Sequence, residues 1–458
     1  MYNLLTIISS SALEFSLFGV AIFSLVISLL KPIGVSKSVR NISIASISIM
    51  IIFVFFNEII FAKNINVIHL LMLFVSLLLV HLHVYYGSHK LGNFSVYFLV
   101  ITSVVGCLFA MKAKDFLSLY LAFETVSFVG YILVGMMSKK PFVSESAVKY
   151  FVIGGVCSAL MLFGISFIYG VSNSIQFADV VNSPLATVGI ILFLCGVFFK
   201  LTAFPFHFWA PDVYFASNLP AIAVISVLPK IAALFAFANL IPSLHSNLAF
   251  TVIALVSVGS MFIGAFGGVF QNHIQRILAY SGIANMGYIL SIYTDPTFSY
   301  YTLVEFVIIY AVSVLFTITI LMSVLKNFGY ERTISSIQGL YKTNPVLAFL
   351  LSFSLLNLAG IPPLAGFVAK YVIIKDLISS QHYILSIAIV LSSATALFYY
   401  LKIIKNIYIA TPSKELELYK SFNIAITIKA YTLAMLIFCI SYAFFQYTPF
   451  YKSLLWQF

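Results

Sequence analysis

Long apolar runs, separated by short charged or Gly/Pro/Asn-rich breaks, fill this 458-residue chain almost from end to end. The runs are continuous rather than alternating, so the period-two signature of a β-barrel is absent. A helix needs about twenty predominantly apolar residues to cross a bilayer. On that measure fourteen spans are predicted, at 11–30, 41–62, 66–86, 93–111, 116–137, 145–170, 186–208, 216–240, 249–270, 273–294, 300–327, 345–378, 383–408 and 426–447. They would take about 280 residues and leave loops of about a dozen. No stretch is long or polar enough for a separate soluble domain. The expected fold is an all-α polytopic membrane protein.

Composition sharpens this. Hydrophobic residues make up 62% of the chain and charged residues 8%, against roughly 25% charged in soluble domains. Mean hydropathy is +1.10. Soluble enzymes, nucleic-acid binders and secreted disulfide scaffolds are thereby excluded. The formal net charge of +11 is a topology signal. Sixteen of the 24 Lys and Arg residues lie in or beside odd-numbered loops, against five (Lys63, Lys112, Lys114, Lys375 and Lys452) in even-numbered loops and the tail. The positive-inside rule then puts the odd loops in the cytoplasm and both termini outside. No cationic stretch precedes the first apolar run and no small-residue cleavage site follows it, so a removable signal peptide is not expected. Cys107, Cys157, Cys195 and Cys439 each sit in an apolar run and form no CxxC, so packing is their expected role.

Three basic residues remain, inside the apolar runs: Lys200 in FLCGVFFKLTAFPFHFW, Lys230 in AVISVLPKIAALFAF and Lys370 in LAGIPPLAGFVAKYVII. Glu124 joins them, mid-run in LSLYLAFETVSFVGYIL, with Ser127, Phe128 and Tyr131 on its helical face. An ionised side chain at the bilayer centre costs about 2.5–3.5 kcal/mol on insertion scales, so it calls for a partner, water or a function. Each lysine alone could snorkel to an interface or form a static pair. One carboxylate cannot neutralise three lysines, however, so at least two must be hydrated or uncharged. Both conditions suit proton transfer.

Prolines lie close to these charges. Pro205 follows Lys200 by five positions, Pro362 and Pro363 precede Lys370, and Pro229, adjoining Lys230, is expected to break or loosen a third helix. A helix-interior proline frees the carbonyl four residues earlier, here Leu201, Leu358 and Ala359. Such carbonyls are tolerated at membrane depth only inside protein or beside water. The seventh and twelfth spans are therefore expected to be discontinuous. Their separation by five fits two inverted five-helix repeats, helices 4–8 and 9–13, with the site at their interface. The expected segments are an N-terminal three-helix piece (1–92), the repeats (93–240 and 249–408) and a C-terminal helix (409–458).

Other polar residues invite secondary roles. His207, just past Pro205, is a proton-relay or structural hydrogen-bonding residue. Lys149 and Glu305 lie near span ends, where relay and interfacial roles compete. Glu14 and Glu58 are candidates for partner contact. His81, His83 and His89 resemble a metal cluster by count, but without an accompanying carboxylate or cysteine they are expected to anchor an interface. Asp212 is expected to tie down the turn after Pro205. The chain has no GxGxxG after a strand, no Walker loop and no iron–sulfur cysteine spacing. A redox centre and hydrolytic chemistry are therefore not expected.

Several segments resemble the antiporter-like subunits of proton-pumping NADH–quinone oxidoreductase, respiratory complex I. FKLTAFPFHFWAPDVY with SVLPKIAALFAF resembles their seventh and eighth helices. ESAVKYFVIGGVCSALMLFGISFIYG resembles the sixth, QNHIQRILAYSGIANMGYIL the tenth, and GLYKTNPVLAFLLSFSLLNLAGIPPLAGFVAKYVI the twelfth. The similarity runs from about Lys112 to Lys405. One paralogous branch is favoured: Lys370 stands where a second branch has Glu, and the chain is too short for a third branch's lateral helix. One departure is Gln275–Arg276 before ILAYSGI, where the family has Lys-Arg before LLAYSSI.

The resemblance implies roles by position. Glu124 and Lys200 would form an ion pair that responds to the redox module, Lys230 would be the central proton carrier, and Lys370 the exit-side carrier. It also implies that NADH, FMN, iron–sulfur clusters and quinone sit on other subunits. The partners would be further membrane-arm subunits, including neighbouring antiporter-like ones, in a bacterial inner membrane with both termini periplasmic. Two alternatives stand beside this: a multi-subunit cation/proton antiporter or membrane-bound hydrogenase relative of the same fold, and a scaffold whose charges are static ion pairs.

Overall fold

The structure, a computed structural model, describes residues 93–136, 141–325, 332–409 and 426–445, together with Val75. Apart from Val75, the expected spans 11–30, 41–62 and 66–86 lie outside the described residues, as do Glu14, Glu58, His81, His83 and His89.

The described residues are helical throughout, with no strands among them and only the isolated bridges Asp115–Gln176 and His273–Thr333. In chain order the α-helices are α1 (Asn93–Lys112), α2 (Phe116–Gly135), α3 (Pro141–Ser172), α4 (Pro184–Lys200), α5 (Trp209–Ala216), α6 (Leu219–Leu240) and α7 (Asn247–Val269). Then come α8 (Ile274–Leu290), α9 (Tyr300–Leu325), α10 (Leu340–Thr343), α11 (Pro345–Ala359), α12 (Ala365–Ser379), α13 (Tyr383–Tyr408) and α14 (Ile426–Phe445). All eleven expected spans from residue 93 onward carry helix.

Polar caps and prolines set the boundaries. The Asp115 carboxylate accepts from the Ser118 amide at the start of α2. Ser183, Asn218 and Asn344 cap α4, α6 and α11, each just ahead of a proline in the first turn. A proline there lacks only a donor that has no helical partner anyway. Gly360, at φ 78°, ends α11 in the left-handed conformation that glycine adopts without strain.

Burial shows which helices form the centre. Nearly all of the spanning stretches of α6 and α9 are buried, 94% and 89%, against half or less for α2, α3, α7 and α13. The outer helices turn apolar faces outward, among them Phe151 and Val152 on α3 and Ile384 and Phe398 on α13. Such faces suit lipid or neighbouring membrane subunits. Helices α3 and α4 meet through Gly164 and Gly189, where an added Cβ on either would collide with the opposing glycine's carbonyl oxygen. Small residues of this kind let membrane helices approach closely.

Two expected spans end differently from a single straight helix. Helix α4 stops at Lys200, residues 201–208 form turns, and the short α5 begins at Trp209. Likewise α11 stops at Ala359, and α12 starts at Ala365 beyond Pro362 and Pro363. The break expected at Pro229 does not occur: α6 runs unbroken from Leu219 to Leu240 with Pro229 inside it. Losing one backbone bond does not interrupt a helix so completely enclosed by its neighbours.

Candidate functional site

The Glu124–Lys200 cluster joins α2, α3 and α4. Lys200 ends α4 and is 6% exposed. Its ammonium lies 3.8 Å from Glu124 Oε1 and donates to the Ser127 hydroxyl. The Ser158 hydroxyl of α3 donates to the same carboxylate oxygen at 2.5 Å. The rings of Phe199 and Phe123, at 5.2 and 6.0 Å, complete the ammonium's surroundings. Of the face expected around Glu124, Ser127 and Tyr131 turn inward, whereas Phe128 points outward, 51% exposed. The inward face is thus narrower than the i, i+3, i+4, i+7 pattern implies.

Lys230 sits in α6 at the centre of the molecule, 1% exposed. Its Nζ donates to the Tyr310 hydroxyl of α9 at 3.3 Å, and the Tyr310 hydroxyl donates to the Ser226 carbonyl at 3.1 Å. Gly282 of α8 leaves room for this amine: a Cβ there would come within 2.8 Å of Nζ.

Lys370 belongs to α12 and is 7% exposed. Its Nζ donates to the Ala359 carbonyl at 2.7 Å, one of the three carbonyls that the sequence marks as freed by proline. That carbonyl ends α11, where the helix dipole is negative and favours a cation. The Tyr288 ring lies 5.0 Å from the amine. Asn357 closes the junction, accepting from the Gly366 amide at 2.9 Å and donating to the Ser313 hydroxyl at 2.6 Å.

A cavity of about 20 Å³, lined by Asn285, Tyr310, Ser313, Asn357 and Lys370 among others, opens beside the amine of Lys370. A second, of about 10 Å³, is lined by Ser226, Ser281, Gly282 and Tyr310 on the Lys230 side. Volumes of about 10–15 Å³ suffice for one water. Polar groups therefore run from Lys230 toward Lys370 through the core. Among the described residues only Lys200 of the three lysines pairs with a carboxylate; Lys230 and Lys370 have neutral partners.

None of the secondary candidates lines either cavity. His207 is buried, its ring against Phe208 and Phe204. Lys149, nearly half exposed, pairs with Glu145 at 2.8 Å and Asp212 at 3.3 Å. Asp212 also binds Arg276 at 3.0 Å, tying α5 to α3 and α8 as its place after the turn implies. Gln275, at the position that departs from the family motif, donates to the Ser217 carbonyl at 2.8 Å. Glu305 is buried on α9. Cys107, Cys157 and Cys439 are buried, and Cys195 is partly so. Tyr310, Asn285, Asn357, Ser313 and Ser158 were not singled out by sequence. Asn357 carried a signal, as a polar residue in an apolar run five positions before Pro362; the other four carry none in the sequence.

A polytopic helical bundle with lysines enclosed at its core and one partnering carboxylate defines an antiporter-like membrane subunit. Residues 113–396 match the family described as NADH:quinone oxidoreductase/Mrp antiporter, transmembrane. NADH-quinone oxidoreductase subunit N of Rickettsia felis is 34% identical over 334 residues, covering 70% of this chain and 72% of the relative. The chain belongs to this antiporter-like family, in the branch of NADH-quinone oxidoreductase subunit N. Two solved structures share the fold. A chain of respiratory complex I from Thermus thermophilus with bound aureothin has a TM-score of 0.79 at 24% identity, covering 94% of this chain and 97% of that one. A chain of the Mrp complex from a Dietzia species has a TM-score of 0.82 at 18% identity, covering 97% and 95%.

Proposed function

We propose that this chain is a membrane-arm subunit of NADH–quinone oxidoreductase that couples NADH-to-quinone electron transfer to proton translocation through Glu124, Lys200, Lys230 and Lys370. The observation that carries this is the pairing of one carboxylate with only one of three enclosed lysines. A static scaffold would match its charges. An opposite charge beside an ammonium favours its charged form, so drawing Glu124 away from Lys200 frees that proton toward Lys230. Lys370 of α12, held at the carbonyl that ends α11, then takes the proton on. Such an array titrates collectively.

In this account α4 with α5, and α11 with α12, are the discontinuous seventh and twelfth helices, and residues 93–240 and 249–408 are the inverted repeats. The lysines beside both interruptions support this. The outward apolar faces fit neighbouring antiporter-like subunits as well as lipid, and the Lys/Arg asymmetry supports a bacterial inner-membrane orientation with both termini periplasmic. NADH, FMN, iron–sulfur clusters and quinone are assigned to the rest of the complex. The cation/proton antiporter alternative shares the family model; the subunit N relatives favour the first assignment.

The test is genetic complementation. Membrane vesicles from cells lacking the gene are assayed for NADH-driven acidification with and without the restored chain. Restoration of quinone-dependent pumping supports the assignment. Normal pumping without the chain, alongside a lost sodium–proton exchange activity, would transfer it to the antiporter class.

A further inference from the structure

We propose that the Tyr310 hydroxyl is the hand-over group between Lys230 and Lys370, passing a proton when it turns from the Ser226 carbonyl into the cavity that Lys370 lines. This rests on the proton-carrying function proposed above. Two residues wall both cavities, Tyr310 and Leu358, and of these only Tyr310 has a hydrogen-bonding side chain. On one side its oxygen accepts from Lys230 Nζ at 3.3 Å. On the other lie Asn285, Ser313 and Asn357, and then Lys370 itself. As it stands, the hydroxyl proton is directed at the Ser226 carbonyl at 3.1 Å, which holds the connection closed.

The transfer balances. An N–H bond of the Lys230 ammonium breaks and an O–H bond forms at the Tyr310 oxygen. The original O–H proton leaves to a water in the cavity, and from there to the amine of Lys370. Tyr310 stays neutral throughout, so the positive charge passes from Lys230 to Lys370 without resting on the phenol. The ring provides the switch: a rotation about the C–O bond selects either the backbone carbonyl or the cavity. The stacked Phe306 ring, 6.1 Å away, holds the phenol in place.

The test compares Tyr310→Phe with Lys230→Ala and wild type in the whole complex in membrane vesicles. Assembly is checked on native gels, and NADH-driven pumping and turnover are measured in H2O and D2O. Phenylalanine keeps the ring and removes only the hydroxyl. The expected result is an assembled complex with at least a fivefold loss of pumping and a larger solvent isotope ratio. Wild-type pumping and isotope ratio in Tyr310→Phe, with Lys230→Ala collapsed, would overturn the tyrosine's role and leave the proposed function standing. Wild-type behaviour in both variants would overturn the function itself. Should Tyr310→Phe fail to assemble, Tyr310→His restores a ring with a titratable donor. Turnover within twofold of wild type then supports the hand-over, and less than a fifth overturns it.

Discussion

Removing the Glu124 charge isolates the best-defined ion pair in the molecule. At 3.8 Å the Glu124–Lys200 attraction is about 4 kcal/mol for an effective dielectric of about 20. Truncating one partner of a buried pair costs about 3–5 kcal/mol, because the other charge remains enclosed. Glu124→Gln should fall at the low end, near 3 kcal/mol. The Glu124 side chain is 18% exposed, and the ammonium keeps Ser127 and the faces of Phe199 and Phe123. Lys200→Met should cost less, about 2 kcal/mol, since Ser158 still satisfies the carboxylate. The double variant removes both charges and should lose no more than about 1 kcal/mol, giving a coupling of about 4 kcal/mol. Equilibrium unfolding of the full chain in bicelles, titrated with dodecyl sulfate, measures this cycle. Losses additive within about 0.5 kcal/mol would show that the two residues do not interact, and would refute the pair.

Other consequences are equally concrete. Gly282→Ala places a methyl 2.8 Å from Lys230 Nζ and should displace the amine from Tyr310. Pumping should fall several-fold while native gels still show the assembled complex. Gly366→Ala would drive a Cβ into the Asn357 carbonyl oxygen, a backbone clash. Its effect should be failure to assemble, seen as loss of the band on the same gels. Asp212→Ala breaks the ties to Lys149 and Arg276, but all three side chains are about a third or more exposed. The cost should stay within about 1 kcal/mol and shrink in high salt, as an unfolding titration at two ionic strengths can check. At the start of α8, burial and the nearby Arg276 lower the pKa of His273 from its ordinary value. The unfolded chain therefore binds the proton first, and stability should fall as pH drops through about 6.5, levelling off below the folded pKa. His273→Gln should flatten that slope, measured as unfolding midpoint against pH.

The helices were legible because their apolar runs are long and their ends carry caps and prolines that act locally. Asn344–Pro345 is plain in sequence, and so is the start of α11; α6 starts at Leu219 behind its Asn218 cap, past the expected 216. The exact end of α4 was not plain, although Pro205 signals an interruption nearby. Hydropathy continues through Leu201–Phe208, and nothing in it marks Lys200 as the last helical residue. Helix α5 was hidden for the converse reason, since Pro211 and Asp212 look like loop residues until Asp212 is seen bridging Lys149 and Arg276. Pro229 carries the same local signal as Pro205, yet α6 continues through it because packing on every side holds the helix.

Glu124, Lys200, Lys230 and Lys370 stood out by their chemistry, as few residues are so costly in an apolar run. Their neutral partners did not. Tyr310 is one of 27 tyrosines, and only the approach of α9 to α6 distinguishes it from the rest. Ser158 reaches Glu124 from a different helix, 34 positions away. Partner choice is a tertiary property, so a single chain's pattern shows which residues need partners and leaves open which ones they find.

Lys230 is the residue on which the account turns, being the most enclosed of the three lysines and the one that leads to Tyr310. The decisive measurement is NADH-driven proton pumping in vesicles carrying Lys230→Ala, with assembly verified on native gels. Pumping and turnover should collapse together in an assembled complex. Full pumping by that complex would contradict the account and leave the buried charges with a structural role.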